Sequence, residues 1–238
     1  FFTPDPSTSS RANVGGAIGN NSCGAHSILY GKTVDQVLEM EIILSDGNKI
    51  LCAENSLNEL KTKLSLQSFE GLLYKNVVDI STQATPEVKS RYPKILRRIG
   101  GYNLDLIHQS EPVNLSKIIV GSEGTLASVS EAKLKLETIP KVKAVSIFHF
   151  DNIYKSMEAS VEILRENPAA VEHIGHMIIQ QARQSLGFSK NLTFLQGNPT
   201  DILVVETNAE TKTEILSKLN TLENRIQKLN LSYAVTRL

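Results

Sequence analysis

Residues 11–27 hold the chain's densest run of residues suited to chemistry. Four glycines, Gly15, Gly16, Gly19 and Gly24, fall within ten positions and alternate with Asn20, Asn21 and Ser22. A backbone without Cβ can press against a ligand and turn its N–H groups toward it. Asparagine and serine add donors and acceptors and tolerate unusual backbone angles. Such a stretch suits a polyanion or a flat heteroaromatic ring. The same composition also describes a surface loop with many turns.

Other residues invite weaker readings. Cys23 lies inside the glycine-rich stretch and could tether a cofactor, or serve as a small packed thiol. His26 could bond a ligand or satisfy the loop backbone. His173 and His176 flank Ile174 and Gly175, but the spacing is not that of a paired-histidine zinc helix, so no metal site is expected. The basic run at residues 94–98 reads as a solvated helix face. Tyr102 reads as a buried aromatic with a bonded hydroxyl.

The bulk composition narrows the classes. The 238 residues carry 25 basic and 25 acidic side chains, a formal net charge of zero, which argues against a nucleic-acid binder that works by neutralising phosphate. No apolar run approaches the ~20 residues that span a bilayer, so no transmembrane segment is expected. Two cysteines make no disulfide framework and fit a reducing compartment. The chain starts without methionine and stops after a strand-like segment, and is expected to be a piece of a longer protein.

Around these residues the pattern predicts a strand at 37–44, a turn at 45–48 and a return strand at 49–53. Helical spacing follows at Leu57, Leu60 and Leu64, and at Leu72, Leu73, Val77 and Ile80. Thr85 and Pro86 read as a helix start. Residues 117–120 read as a short buried strand, and 132–137 as an antiparallel strand with one wet face. Pro140 marks a boundary. Beyond it strands at 144–150, 170–174, 202–206 and 231–238 alternate with helices at 153–165, up to about 186, and 210–229. That order predicts an α+β sandwich with helices on one face.

The ordered set formed by residues 4–7, the glycine-rich stretch, residues 30–33, the turn at 45–47, residues 101–105 and residues 120–126 resembles the FAD-linked oxidase family, the vanillyl-alcohol oxidase and p-cresol methylhydroxylase superfamily. The similarity is strongest to the D-2-hydroxy-acid dehydrogenase branch, of the type fused to an iron–sulfur module. The resemblance implies an α+β fold: residues 1–140 as the second half of a PCMH-type FAD-binding domain, and 141–238 as the start of a ferredoxin-like cap domain. It implies FAD contacts from Pro4, Asp5, Pro6, Ser7, Gly15, Gly16, Gly19, Asn20, Asn21, Ser22, Gly24, His26, Gly124, Thr125 and Val129. Ala17 and Cys23 depart from the commoner asparagine and glycine of the family.

The implied activity is oxidation of a D-2-hydroxy acid (D-lactate, glycolate or D-2-hydroxyglutarate) by hydride transfer to flavin. Catalytic residues and metal ligands of the family fall outside this stretch, so the 238 residues alone are expected to be inactive, with an incomplete FAD site. An iron–sulfur cluster belongs elsewhere in the parent chain. The electron acceptor would be a quinone, a cytochrome or an electron-transfer protein. A cytoplasmic protein, at most peripheral at the inner face of the membrane, fits this reading. The alternative is a non-catalytic interaction or scaffold module that keeps the fold without flavin.

Overall fold

The computed structural model describes residues 1–107 and 112–238. They divide into two compact units, Phe1–Glu137 and Thr138–Leu238.

Unit 1 opens with three short helices, α1 (Val14–Asn20), α2 (Ser27–Tyr30) and α3 (Thr33–Gln36), and then the strand β1 (Val37–Ile43). A turn reverses the chain into β2 (Lys49–Cys52), and the long helices α4 (Leu57–Ser65) and α5 (Phe69–Arg91) follow. The helix α6 (Ser116–Ile119) leads to β3 (Ser128–Leu134). The sheet order is β2-β1-β3, antiparallel throughout, with β1 in the centre. Met40 and Ile42 of β1 point to one face with Leu44 just beyond, as the two-residue period requires, and pack with Tyr74 and Val78 of α5 and Ile118 and Ile119 of α6. The opposite face is polar. Lys49 and Ser130 meet Glu41, each at 2.7 Å, and Lys133 meets Glu39 at 2.8 Å.

Four expectations fail in unit 1. The glycine-rich stretch is not all loop, because its first half is α1, nucleated by Asn13, whose side chain accepts from the Gly16 amide. Residues 117–120 form no strand. Asn114 Oδ1 accepts from the Ser116 amide and starts the buried turn of α6, and a short apolar run does not separate strand from buried helix. Thr85 and Pro86 begin no helix. They lie inside α5, where the Thr85 hydroxyl bonds the Ser81 carbonyl at 2.9 Å. The basic run at 94–98 is irregular rather than helical, and Arg98 is engaged with Asp105 at 2.5 Å and stacked over Tyr92. In addition, β3 starts earlier than expected and has no covered face over residues 128–133.

Unit 2 runs β4 (Val142–Phe150), α7 (Ile153–Leu164), β5 (Ala170–Ile174), α8 (His176–Gln184), β6 (Asp201–Ala209), α9 (Lys212–Lys228) and β7 (Ala234–Arg237). The antiparallel sheet order β5-β6-β4-β7 is the ferredoxin-like split β-α-β arrangement. Phe148, Phe150, Leu203 and Val205 face α7 and α9, meeting Ala159, Ile163, Leu222 and Ile226. The alternate residues Ile147 and Ile202 face the other way and are covered by Ile179 of α8 and by Phe194 and Leu195. Helical cover is therefore present on both faces, not one. The helix on the second face is α8, expected up to about residue 186, which buries Ile179 against the sheet.

His149 on β4 is fully buried. Its Nδ1 lies 3.3 Å from the Ala234 carbonyl and its Nε2 accepts the Gln196 amide at 3.1 Å, so the ring is held as one neutral tautomer. Burial pushes its pKa below the ordinary histidine value. The unfolded chain therefore takes up this proton first, and the stabilisation is complete above about pH 6.5 and is lost as pH falls below it. The urea midpoint of the wild-type protein should fall between pH 7.5 and 5.5 more steeply than that of His149→Gln, with a slope from this residue of at most about 1.4 kcal/mol per pH unit. Parallel pH profiles in denaturant titrations would remove His149 from the acid response.

Candidate cofactor-binding site

Two sequence-distant segments meet at α1. Its C-terminal carbonyls need donor partners once the helix stops. The Gly121 amide donates to Ile18 at 2.9 Å, and the Glu123 amide donates to Gly19 at 2.9 Å. Gly121 and Gly124 adopt φ of 83° and 77°, angles that favour glycine, so the turn at 121–125 folds back onto the helix end. Asn21 ends α1 in the left-handed conformation, and its Oδ1 accepts the Val34 amide at 3.0 Å. A Cβ on Gly121 would stand 3.1 Å from Asn21 Cβ.

A second junction fixes residues 4–7. The Asp5 carboxylate bonds His26 Nδ1 at 2.5 Å and reaches the His26 amide at 3.4 Å. Gly24 lies directly beneath, and any Cβ there would overlap the Asp5 carbonyl oxygen and carboxylate. The Gly24 amide itself donates to Ser27 Oγ at 2.9 Å.

The expected flavin contacts thus separate by position. Ser7, Gly15, Gly16, Asn20, Gly124, Thr125 and Val129 are exposed, and Asp5, Pro6, Gly19, Ser22 and His26 are half-buried. Pro4, Asn21 and Gly24 are buried. Gly24 is a glycine because Asp5 needs the space, and Asn21 holds α1 to α3 and β1. The expectation that four amides serve an anion is also reduced. Gly19 and Asn20 spend theirs in the helical ladder and Gly16 gives its own to Asn13, leaving Gly15 in the first turn outside that ladder.

Gly19 fits a close-approaching cofactor. Glycine costs about 1 kcal/mol relative to alanine inside a helix. Here φ is not positive and, among the described residues, no atom beyond its chain neighbours and its own helix backbone comes within 4 Å of where its Cβ would stand, so packing there does not require it. A bound flavin pressed against that face would.

Residues that sequence reasoning missed act behind this surface. Asn13 starts α1. Lys117 Nζ donates to the carbonyls of Val34 and Val37 at 2.8 and 2.7 Å, tying α6 to the α3–β1 junction, and burial pulls its pKa down. Asn103 Nδ2 donates to the Lys117 and Val120 carbonyls at 3.0 and 2.9 Å and so sets the approach to Gly121. Tyr102 is half-exposed rather than buried, and its hydroxyl bonds Thr125 Oγ1 at 2.8 Å. Among the described residues no group of three or more metal-ligating side chains is gathered. His173 instead pairs with buried Asp201 at 2.9 Å. Asparagine two residues before a paired-glycine run is a cap signal legible in the sequence. The lysine and Asn103 contacts carry no such signal.

Comparison with known proteins gives the chain's similarities. Residues 1–53 match the FAD binding domain. D-2-hydroxyglutarate dehydrogenase of Escherichia coli is 31% identical over 189 residues, covering 78% of this chain and 18% of that one. The chain is similar to proteins of the FAD-linked oxidase family, with the FAD binding domain match confined to residues 1–53. The glycolate oxidase subunit GlcD of Bacillus subtilis is 25% identical over 176 residues, 73% of this chain and 27% of the relative. Both relatives are named for 2-hydroxy acids. It spans about a fifth of the D-2-hydroxyglutarate dehydrogenases it matches. Among solved structures, an alkyldihydroxyacetonephosphate synthase superposes with a TM-score of 0.58 at 15% identity, covering 96% of this chain and 34% of that one, which supports the α+β fold.

The two glycines should respond oppositely to a methyl group. Gly24→Ala must displace residues 4–7 and should lower thermal stability by about 1–3 kcal/mol, as for other overpacked sites. Gly19→Ala meets open space in a helix and should hold or raise stability by up to about 1 kcal/mol. Calorimetry of the two variants checks this; equal loss in both would mean that Gly19 too is fixed by packing.

Proposed function

We propose that this chain supplies one wall of the flavin site and the beginning of the substrate-side cap in an FAD-dependent dehydrogenase of D-2-hydroxy acids. In this reading residues 1–140 are the C-terminal part of the FAD-binding domain and 141–238 the N-terminal part of the cap. The observation that carries it is Gly19: a helical glycine with no other described residue to avoid, beside the turn at 121–125 and inside a segment matching an FAD binding domain.

The flavin, when bound, supplies the two-electron redox chemistry. The chain's own residues bind and orient. The exposed rim of Gly15, Gly16, Asn20, Gly124 and Thr125 offers backbone and hydroxyl groups, and Ser22 adds a second hydroxyl. Asp5 and His26 hold Pro6 and Ser7 against the glycine-rich segment. Val129 lies on the sheet-edge strand β3, where one side of the backbone is left for a ligand or another strand. The substrate is a small 2-hydroxy acid of the D-lactate, glycolate or D-2-hydroxyglutarate class. The electron acceptor is a quinone, a cytochrome or an electron-transfer protein, and an iron–sulfur cluster lies elsewhere in the parent chain. No described helix is long and apolar enough to cross a membrane, which accords with a cytoplasmic enzyme, at most peripheral to the membrane.

The test uses the full-length parent protein. It should be yellow, and anaerobic addition of D-2-hydroxyglutarate, D-lactate or glycolate should bleach its flavin absorbance for at least one of the three. Gly19→Val should retain at most a tenth of the flavin after dialysis, a loss equivalent to about 1.4 kcal/mol. Lys94→Ala, on an exposed basic segment, should keep it all. Full retention in Gly19→Val would take α1 out of the site, and a full-length protein that binds no flavin would overturn the proposal.

A further inference from the structure

Residues 88–104 contain no acidic side chain, and five basic ones, Lys89, Arg91, Lys94, Arg97 and Arg98, fall within ten positions. The whole chain has a net charge of zero, so this segment concentrates positive charge that is balanced elsewhere. Flanking carboxylates answer part of it: Glu87 meets Arg91 at 3.1 Å and Asp105 meets Arg98 at 2.5 Å. Lys89 and Lys94 are exposed and stand in no ion pair among the described residues.

The segment is irregular but pinned. Helix α5 ends at Arg91, two residues before Pro93, which lacks the N–H to continue it. The Arg98 guanidinium lies over the Tyr92 ring, 4.6 Å from its centroid, and the Tyr92 hydroxyl donates to the Tyr102 carbonyl at 3.1 Å. Lys32 Nζ donates to the Leu96 carbonyl at 3.2 Å. A backbone fixed in this way holds Ile95 and Leu96 outward, 64% and 51% exposed. Lys94, beside Ile95 in the chain, also lines an open recess of about 530 Å³ with Lys89, Tyr92 and Arg98.

Two kinds of group therefore lie side by side: unpaired ammonium groups at a recess, and a pair of aliphatic side chains in water. A free phosphate would answer the charge and leave the aliphatic pair wet. The surface of an anionic bilayer answers both, with phosphates at the level of the lysines and acyl chains just beneath them. We propose that residues 89–98 of unit 1 form a docking surface for an anionic lipid bilayer, with headgroup phosphates at Lys89 and Lys94 and with Ile95 and Leu96 entering the interface. The surface does not depend on flavin. It would hold the parent protein where a quinone, one of the acceptor classes above, is dissolved.

The test sediments the full-length parent protein with sucrose-loaded vesicles of phosphatidylcholine, alone or mixed with phosphatidylglycerol. Binding to the mixed vesicles only is expected, weakening as salt is raised. Lys89→Gln and Lys94→Gln should each weaken it about fivefold, the effect of one charge near an anionic surface. Ile95→Ser combined with Leu96→Ser should weaken it by about tenfold or more. Lys212→Gln, an exposed lysine of α9 in unit 2, should leave it unchanged. Circular dichroism and flavin retention should match wild type in every variant, so the docking surface and the flavin site can fail separately. Hydrogen exchange needs no variant: mixed vesicles should slow the wild-type amides of residues 94–98. No binding to mixed vesicles, equal binding to both vesicle types, wild-type affinity in the folded variants at 89, 94 and 95–96, or equal loss in Lys212→Gln would each overturn the proposal. So would displacement by inorganic phosphate, which would mark a site for soluble anions, or equally tight binding of polyglutamate, which would mark one for acidic polypeptides.

Discussion

The candidate site rests on the capture of the α1 C-terminus. A helix of seven residues is too short to hold itself together in water, where nucleation outweighs so few hydrogen bonds. Asn13 fastens the first turn, and the Gly121 and Glu123 amides fasten the last. Those two donors belong to a turn that exists only because Gly121 and Gly124 take positive φ and because Asn103 grips the chain just before it. Remove that capture and α1, the exposed glycine edge and the Asn21 link to α3 all lose their reference point.

This dependence explains which parts were legible in the sequence. Strands β1, β2, β4, β5 and β6 and helices α4, α7 and α9 follow from period-2 or 3.6-residue patterns that a linear reading detects. The family and the glycine-rich segment were legible for the same reason, as an ordered set of short motifs. What a linear reading could not supply was the division of labour among glycines of identical type. Gly24 yields space to Asp5, Gly121 supplies a backbone angle beside Asn21, and only Gly19 has open space before it. Composition ranks the three equally, and only neighbours from elsewhere in the chain tell them apart. The run ending at Val120 was misread because its burial comes from partners on β1 and α5, and burial alone suits a strand or a helix turn.

In unit 2 the strand alternation was legible, but the second covered face was not. His149 and Asp201 are fixed by groups more than twenty residues away in sequence, the Ala234 carbonyl, the Gln196 amide and His173. Their polar atoms are satisfied inside the fold, so they act on register and orientation. The Glu172-to-His176 stretch, which looks like ligand chemistry when read linearly, joins this framework through the His173–Asp201 pair.

The sheet of unit 1 has a temporal consequence. Its central strand β1 pairs with β2 across the short turn at residues 44–48, but its other edge waits for β3, about 75 residues beyond β2. At about 5–20 residues per second of synthesis, that edge stands open for roughly 4–15 s after β2 has been made. During that interval Met40 and Ile42 have a hairpin partner but an unpaired backbone beside them, the geometry that recruits foreign strands. The polar face of β1, with Glu39 and Glu41 on the strand that waits, places charge where such a stranger would stack. Nascent-chain solubility is thus written into the same strand that later centres the sheet.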